Sequence, residues 1–479
     1  MRKTKIVATL GPSTDDPDVL RGIINAGLDV ARFNFSHGDH DGHKKRINVF
    51  RKACDETGAT VALLADTKGP EIRLGTFQED RAMLVAGSTF TLTSDQVDGD
   101  ASKVSITYAD LPREVSPGAT ILLDDGLIEL RVESVTGTCV NTRVMIGGPI
   151  SNRKGVNVPG VRLDIPYISA KDRSDLRFFI ENGFDFIAAS FVRSAEDIRE
   201  IREELHRIDS TNKIKIIAKI ENAEGVRNAD SILSISDGLM VARGDLGVEV
   251  AFEEVPIIQK ELIRKGVLNG KPVITATQML ESMITHSRPT RAEAADVANA
   301  IYDGTSAIML SGETAAGRYP IESVVTMSRI AERIEKEIDY RQRIRSSDYN
   351  VETSITNAIC HATVTTAHDL RTAAILTVSL TGFTAQHLSK YRPACPIIAC
   401  TPDQTAQRQL KIVWGVIPLL TTEGSDTSTL FTNAIDAAQE GGYINEGDVV
   451  VLTAGVPVGH TGNTNMVKVH VVGENVSVS

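Results

Sequence analysis

The chain has 479 residues, 42% of them apolar and 24% charged, and a net charge of −11. That length suits about three domains of ordinary soluble composition. The acidic balance gives no long-range attraction for nucleic acid or an anionic membrane, so neither is an expected partner, and an anionic substrate would need local cations or bound metal ions. No apolar run approaches the ~18 residues that cross a bilayer, and the basic stretch from Met1 to Gly11 is too short in apolar residues for a signal peptide. The five cysteines (Cys54, Cys139, Cys360, Cys395, Cys400) show no CxxC spacing. Reduced thiols in a cytoplasmic protein are expected, not disulfides or zinc.

From residue 1 to about 345 one pattern repeats: a short β-branched run ends in a polar residue or glycine, and an amphipathic helix follows. The runs are Lys5–Leu10, Leu28–Phe33, Thr60–Ala65, Phe184–Ala189, Lys213–Ile220, Gly238–Ala242, Pro272–Ala276 and Thr305–Leu310. Helical patterns such as Ala195–Arg207 and Ile257–Leu268 lie between them. Eight such units predict a TIM (β/α)8 barrel, with an open doubly wound sheet as the alternative.

The third and fourth runs are separated by a long insert of different character. Thr89–Thr93, Thr120–Leu123, Ile128–Val132 and Val140–Met145 are short and β-rich, and Asp124-Asp125-Gly126 and Gly147-Gly148-Pro149 look like turns. Residues 70–166 are expected to form a β-barrel lid inserted between barrel parts 1–69 and 167–345. The charged stretch Tyr340–Ser347 is expected to be a linker. A C-terminal α/β domain over 346–479 follows, with a helix at Ser354–Asp369 and strands at Ala373–Val378, Pro396–Ala399, Asp448–Leu452 and Val467–Val472.

All eight strands of such a barrel end at one rim, so the residues there share a mouth. They include Thr9, Arg32 to His37, Asp66 to Arg73, Lys219, Glu221, Arg243, Asp245, Thr277, Gln278 and Ser311 to Thr314. Lys219 and Glu221 are two apart and share a strand face, as do Arg243 and Asp245. Two carboxylates beside a lysine can hold Mg²⁺ and neutralise a phosphate. Asn34, Ser36, Asp66 and Thr67 offer one formal charge, which suits a monovalent cation. No serine–histidine–acid or Cys–His nucleophile is visible, so phosphoryl or enolate chemistry is favoured over acyl transfer. His37, His40 and His43 look like loop and helix-surface residues, Met279 and Met283 like helix core, and Trp414 like packing of the C-terminal domain.

The segments Thr4–Pro12, Ala31–Gly38, Ala65–Arg73, Lys154–Asn157, Ile217–Gly225, Met240–Gly247, Thr275–Met283 and Ile308–Pro320, in this order, resemble pyruvate kinase. The resemblance implies the barrel, lid and C-terminal regulatory domain, and phosphoryl transfer from phosphoenolpyruvate to ADP, giving pyruvate and ATP. By position it implies Glu221 and Asp245 as ligands of Mg²⁺ (or Mn²⁺), and Lys219 as the cation on the phosphoryl group. Arg32 would hold the phosphate. The Gly244 and Asp245 N–H groups with Thr277 would hold the substrate carboxylate, and Thr277 would deliver a proton, through water, to the enolpyruvate carbon. Asn34, Phe35, Ser36, His37, Arg73 and Lys154 would line the nucleotide phosphates, and Asn34, Ser36, Asp66 and Thr67 would hold K⁺. Glu71 stands where the family has Glu in K⁺-dependent enzymes and Lys in K⁺-independent ones, so K⁺ dependence is expected.

The hydroxyl-rich loop Val378–Thr384 opens a helix, which makes it an anion site or a plain N-cap. The resemblance makes Ser379, Thr381, Gly382 and Thr384 the effector loop. Gly455–Gly462 carries no arginine or tryptophan for a second phosphate, so a sugar monophosphate or AMP fits as well as fructose-1,6-bisphosphate. The resemblance further implies a homotetramer, without the C-terminal extension of some bacterial relatives. Two other readings are a carbon–carbon enzyme with an Mg²⁺-bound enolate, which would lack the lid, and a non-catalytic sugar-phosphate sensor, which would have eroded active-site motifs.

Overall fold

The computed structural model describes residues 1–346, 354–424, 426–457 and 462–476. Eight parallel strands close into a barrel: Lys5–Thr9, Val30–Asn34, Ala62–Asp66, Phe186–Ala189, Lys215–Ile220, Gly238–Ala242, Val273–Ala276 and Ala307–Leu310. They coincide with the eight predicted runs. Strands covered on both faces are apolar along their whole length, which is why they stand out in the sequence. Alternate residues divide between two layers. Val7, Val30, Leu64, Ile217, Met240 and Ile274 fill the barrel. Ile6, Ala31, Leu63, Ile187, Ile216 and Ile308 face the surrounding helices.

The chain leaves the rim after the third strand and builds a seven-stranded sheet before returning for the fourth. This sheet has its own core, with Phe90, Leu92, Ile121, Leu130 and Val140 fully buried. It curls until Leu74 meets Ile106 in an isolated bridge, so the lid is a partly open barrel. The predicted turn at Gly147–Pro149 needs correction. Gly148–Ser151 is a strand paired with Arg81–Leu84. Gly147 lies so close to the Leu84 carbonyl that a Cβ would collide with it, so this glycine permits a close approach instead of a turn.

The expected linker is also helical, over Tyr340–Ser346. Tyr340 packs its ring 5.6 Å from Trp414, and Lys3 Nζ lies 4.4 Å above the Tyr340 ring. Residue 347 of that stretch lies outside the described residues. Beyond it, five strands form a sheet in the order Val416–Leu420, Ile397–Thr401, Ala374–Val378, Val449–Ala454, Met466–Val471. The first of these was not predicted; Pro418 interrupts its pattern and is tolerated because the strand is an edge.

This C-terminal unit covers the barrel face opposite the rim. Arg408 Nε donates to buried Asp185 at 2.9 Å, immediately before the fourth barrel strand. Lys5 Nζ donates to the Val416 carbonyl at 2.7 Å, and Arg392 Nη2 to the Gly304 carbonyl at 2.8 Å. No helix among the described residues is long and apolar enough to cross a membrane.

Candidate active site

The parallel barrel brings the predicted charges together at its rim. Asp66, at the end of the third strand, is buried and grips two cations. Its Oδ2 accepts from Arg32 Nε at 2.6 Å, and its Oδ1 lies 3.0 Å from Lys219 Nζ. Lys219 Nζ also donates to Ser190 Oγ at 2.7 Å and lies 2.9 Å from Glu221 Oε1. Thr9 Oγ1 accepts from Arg32 Nη1 at 2.8 Å. Five strands therefore converge on one buried charge cluster.

Burial alone would raise the Asp66 carboxyl, but Arg32 and Lys219 hold it below its ordinary value. Burial alone would lower the Lys219 ammonium, but Asp66 and Glu221 hold it above its ordinary value, so it stays charged. Burial pushes the Glu221 carboxyl up to about 7, against the pull of Lys219 and with the Asp245 charge adding to the rise. Glu221 Oε2 accepts from the Phe191 N–H at 2.6 Å. Its fully buried Oε1 has no hydrogen-bond donor in good geometry among the described residues, despite the nearby ammonium.

That orphaned oxygen bears on whether a divalent cation fits. No cluster of three His, Cys, Asp or Glu able to hold a metal is present among the described residues. Glu221 and Asp245 alone are still a suitable donor set for Mg²⁺, which binds one or two carboxylates and takes its remaining ligands from water and substrate phosphates.

The seventh strand ends in two consecutive left-handed residues, Thr277 at φ 66° and Gln278 at φ 53°. A β-branched residue there is strained by about 1–3 kcal/mol. Three hydrogen bonds hold the distortion. Thr277 Oγ1 accepts from the Gly244 N–H at 2.8 Å and donates to the Ala276 carbonyl at 2.6 Å, and Arg243 Nη2 donates to the Thr277 carbonyl at 2.7 Å. Arg243 is itself anchored on Asp296 at 2.7 Å, so it braces the loop.

Above this floor, a cleft of about 710 Å³ separates the rim from the lid. Arg73, Lys154, Asp125, Asp245 and His37 line it. Glu71, also on its wall, takes Arg73 in a two-pronged pair at 2.7 and 2.8 Å and lies 3.0 Å from Lys68. Lys154 pairs with Asp124 at 2.8 Å. Asp124 and Asp125 form the expected turn, both with left-handed backbone, but Asp125 also faces the cleft. Burial and the charges of Asp245 and Asp124 raise its carboxyl above the ordinary value.

Other predicted residues sit differently. The Phe35 side chain points away from the cleft into an aromatic cluster, stacked 4.0 Å from His43 and edge-on to Phe179. His43 is buried, not a surface residue, and His40 pairs with Asp175 at 2.7 Å. Asn34 Oδ1 accepts from the Ser36 N–H at 3.0 Å, and Thr67 Oγ1 accepts from the Ser190 N–H at 3.1 Å. Ser190 and Phe191 were missed from sequence, and Asp125 stands there only as part of a turn. Ser190 ends an apolar run like the other rim residues, and that signal could have found it.

In the C-terminal unit, Ser379, Thr381 and Thr384 line a second cavity of about 320 Å³ together with Phe383, Leu430 and Glu423. Gly382 has φ +79° and donates its N–H to Ser379 Oγ at 3.1 Å; it shapes the loop instead of lining the cavity. Thr384 Oγ1 and Thr464 Oγ1 are 2.7 Å apart. Residues 458–461 of the Gly455–Gly462 loop lie outside the described residues.

Comparison with known proteins gives the family. Residues 1–324 match the family model "Pyruvate kinase, barrel domain", and residues 357–470 match "Pyruvate kinase, alpha/beta domain". The chain is 53% identical over 476 residues to a pyruvate kinase of Geobacillus stearothermophilus, covering 99% of this chain and 81% of that protein. It is 50% identical over 476 residues to one of Sporosarcina psychrophila, with the same coverage. A crystal structure of a pyruvate kinase from Cryptosporidium parvum superposes with a TM-score of 0.93 at 40% identity, covering 98% of this chain and 96% of that one. The chain belongs to the pyruvate kinase family, and its reaction is the transfer of the phosphoryl group of phosphoenolpyruvate to ADP, giving pyruvate and ATP.

Proposed function

We propose that Arg32, Lys219, Glu221, Asp245 and Thr277 carry this reaction at the barrel rim. The observation that supports it most is the shared grip of Arg32 and Lys219 on Asp66, which fixes two cations side by side. Phosphoryl transfer needs little covalent help, so prepositioned positive charge is the main catalytic contribution. Arg32 holds the phosphate end of phosphoenolpyruvate. Lys219 keeps its charge in a buried site and faces the phosphoryl group as it moves. Glu221 and Asp245 are the ligands of an Mg²⁺ or Mn²⁺ ion, which when bound supplies further positive charge to the phosphate oxygens. The Gly244 and Asp245 N–H groups with Thr277 hold the substrate carboxylate, the Gly244 N–H exchanging its acceptor Thr277 Oγ1 for a carboxylate oxygen, and the Thr277 hydroxyl is the group nearest the enolpyruvate carbon that receives a proton.

Arg73, Lys154 and residues Asn34 to His37 bind the ADP phosphates, Phe35 through its backbone only. Asn34, Ser36, Asp66 and Thr67 hold K⁺, a reading supported by their mostly neutral oxygens. We assign the barrel to 1–69 and 167–345, the lid to 70–166 and the regulatory domain to 346–479, in a cytoplasmic homotetramer. The C-terminal cavity takes a phosphate monoester such as a sugar phosphate or AMP. Its hydroxyls and helix start can hold one phosphate, and its described wall has no Lys or Arg for a second. The test is pyruvate formation from phosphoenolpyruvate and ADP, varying Mg²⁺ and K⁺ separately. Dependence on both supports the ion assignments; turnover indifferent to either removes that ion from the account.

A further inference from the structure

A third cleft, of about 430 Å³, lies on the barrel face opposite the active site, at the start of the fifth and sixth strands. Arg202, His206, Asn212, Lys213, Lys215 and Asp237 line it. Three basic side chains and one carboxylate thus line it, and a second carboxylate, Asp403, lies against Lys213, which leaves the group one positive charge in excess in a chain whose overall charge is strongly negative.

Two of the cations are already engaged. Arg202 Nη2 donates to Asp237 at 2.7 Å and to the Ile235 carbonyl at 2.8 Å, and Lys213 Nζ pairs with Asp403 at 2.5 Å. Asp237 is shared further, since its Oδ2 accepts from the Ile216 N–H at 2.8 Å. Lys215 differs: among the described residues its ammonium makes no hydrogen bond or ion pair, although the side chain is only partly exposed. Burial lowers its affinity for a proton, with the Asp237 charge opposing. A charged group in that position is stabilised by a partner anion.

We propose that this cleft is a phosphate-binding site, with Lys215, Lys213 and Arg202 as its cations. Free phosphate and the phosphate end of a small metabolite share the chemistry it recognises. Arg202 offers a planar fork and the two lysines offer point charges, the combination suited to a tetrahedral oxyanion. The site would also touch regulation. Lys213 ties the barrel to Asp403, and Asp403 caps the helix Gln404–Gln409 by accepting from the Thr405 and Ala406 N–H groups at 2.7 and 3.1 Å. The preceding residue, Pro402, is on the wall of the C-terminal cavity. A phosphate drawing on Lys213 competes with that tie.

The experiment is equilibrium dialysis of the full chain against radiolabelled inorganic phosphate, with the number of sites per chain and the affinity of each read from the same isotherm. Lys215→Met should weaken one site per chain by about tenfold or more, the cost of a lost charge-assisted hydrogen bond. Lys215→Arg should retain it. Arg202→Met gives a second route to the same loss should Lys215→Met fold poorly, with basal pyruvate formation as the check on folding. Displacement of the label from this site by ribose 5-phosphate assigns it to an esterified phosphate; failure to displace assigns it to the free ion. Phosphate binding that is the same in wild type, Lys215→Met and Arg202→Met overturns the proposal.

Discussion

Arg32 and Lys219 are joined through one carboxylate: Asp66 holds the first at 2.6 Å and the second at 3.0 Å, one with each oxygen. Removing that charge while keeping its shape should therefore disorder both cations at once. Asp66→Asn is expected to cost about 3 kcal/mol of stability, the usual cost of breaking a buried ion pair from one side. Turnover should fall on the order of 10²-fold. Urea unfolding and steady-state kinetics on the same preparation check both numbers. A variant of normal stability and turnover would show that Asp66 does not organise the site.

Glu71 is neutralised by Arg73 and Lys68 rather than left facing the cleft alone. Wild-type turnover is expected to drop on the order of 10²-fold in K⁺-free buffer, because a cation near the transferred group is lost. In Glu71→Lys the new ammonium supplies that charge, and activity with and without K⁺ should agree within about tenfold. The same variant releases Arg73 from its two-pronged pair, so the KM for ADP should also change. Wild-type turnover that ignores K⁺ would remove the argument.

Asp185 gives a pH-dependent stability. Burial pushes its carboxyl up to about 6, with Arg408 and the Leu63 N–H opposing. The folded chain therefore keeps a proton that the unfolded chain releases above about pH 4. This contribution is fully present below that pH and is lost as pH rises through about 6. Between pH 5 and pH 7 wild type should lose about 1 kcal/mol relative to Asp185→Asn, which cannot titrate. Urea midpoints of both proteins at the two pH values test this; equal pH slopes would contradict it.

Much of the fold was legible because parallel strands covered on both faces are unbroken apolar runs, as in Ile216, Ile217 and Ala218. The family motifs made the rim residues legible as well. Features set by distant contacts were not. Val416–Leu420 is hidden by Pro418, acceptable only because the strand lies at the sheet edge. Tyr340–Ser346 looked like a linker because its helix is held by Trp414 and Lys3, far away in sequence. Phe35 sits inside a binding motif, yet its ring belongs to the core around His43 and Phe179. Ser190 becomes part of the site only when the fourth strand is laid beside the third, where it meets Asp66 at 3.1 Å.

In the proposed mechanism Lys219 acts on the phosphoryl group and not on the proton-transfer half of the reaction. Lys219→Met separates the two. Phosphoryl transfer, followed as ATP formation, should fall on the order of 10³-fold. Exchange of the pyruvate methyl protons with D₂O, followed by NMR in the presence of Mg²⁺, should remain within about tenfold of wild type, because Thr277 is held independently by Gly244 and Arg243. Equal loss of both activities would contradict the account and make Lys219 a residue of structure or binding.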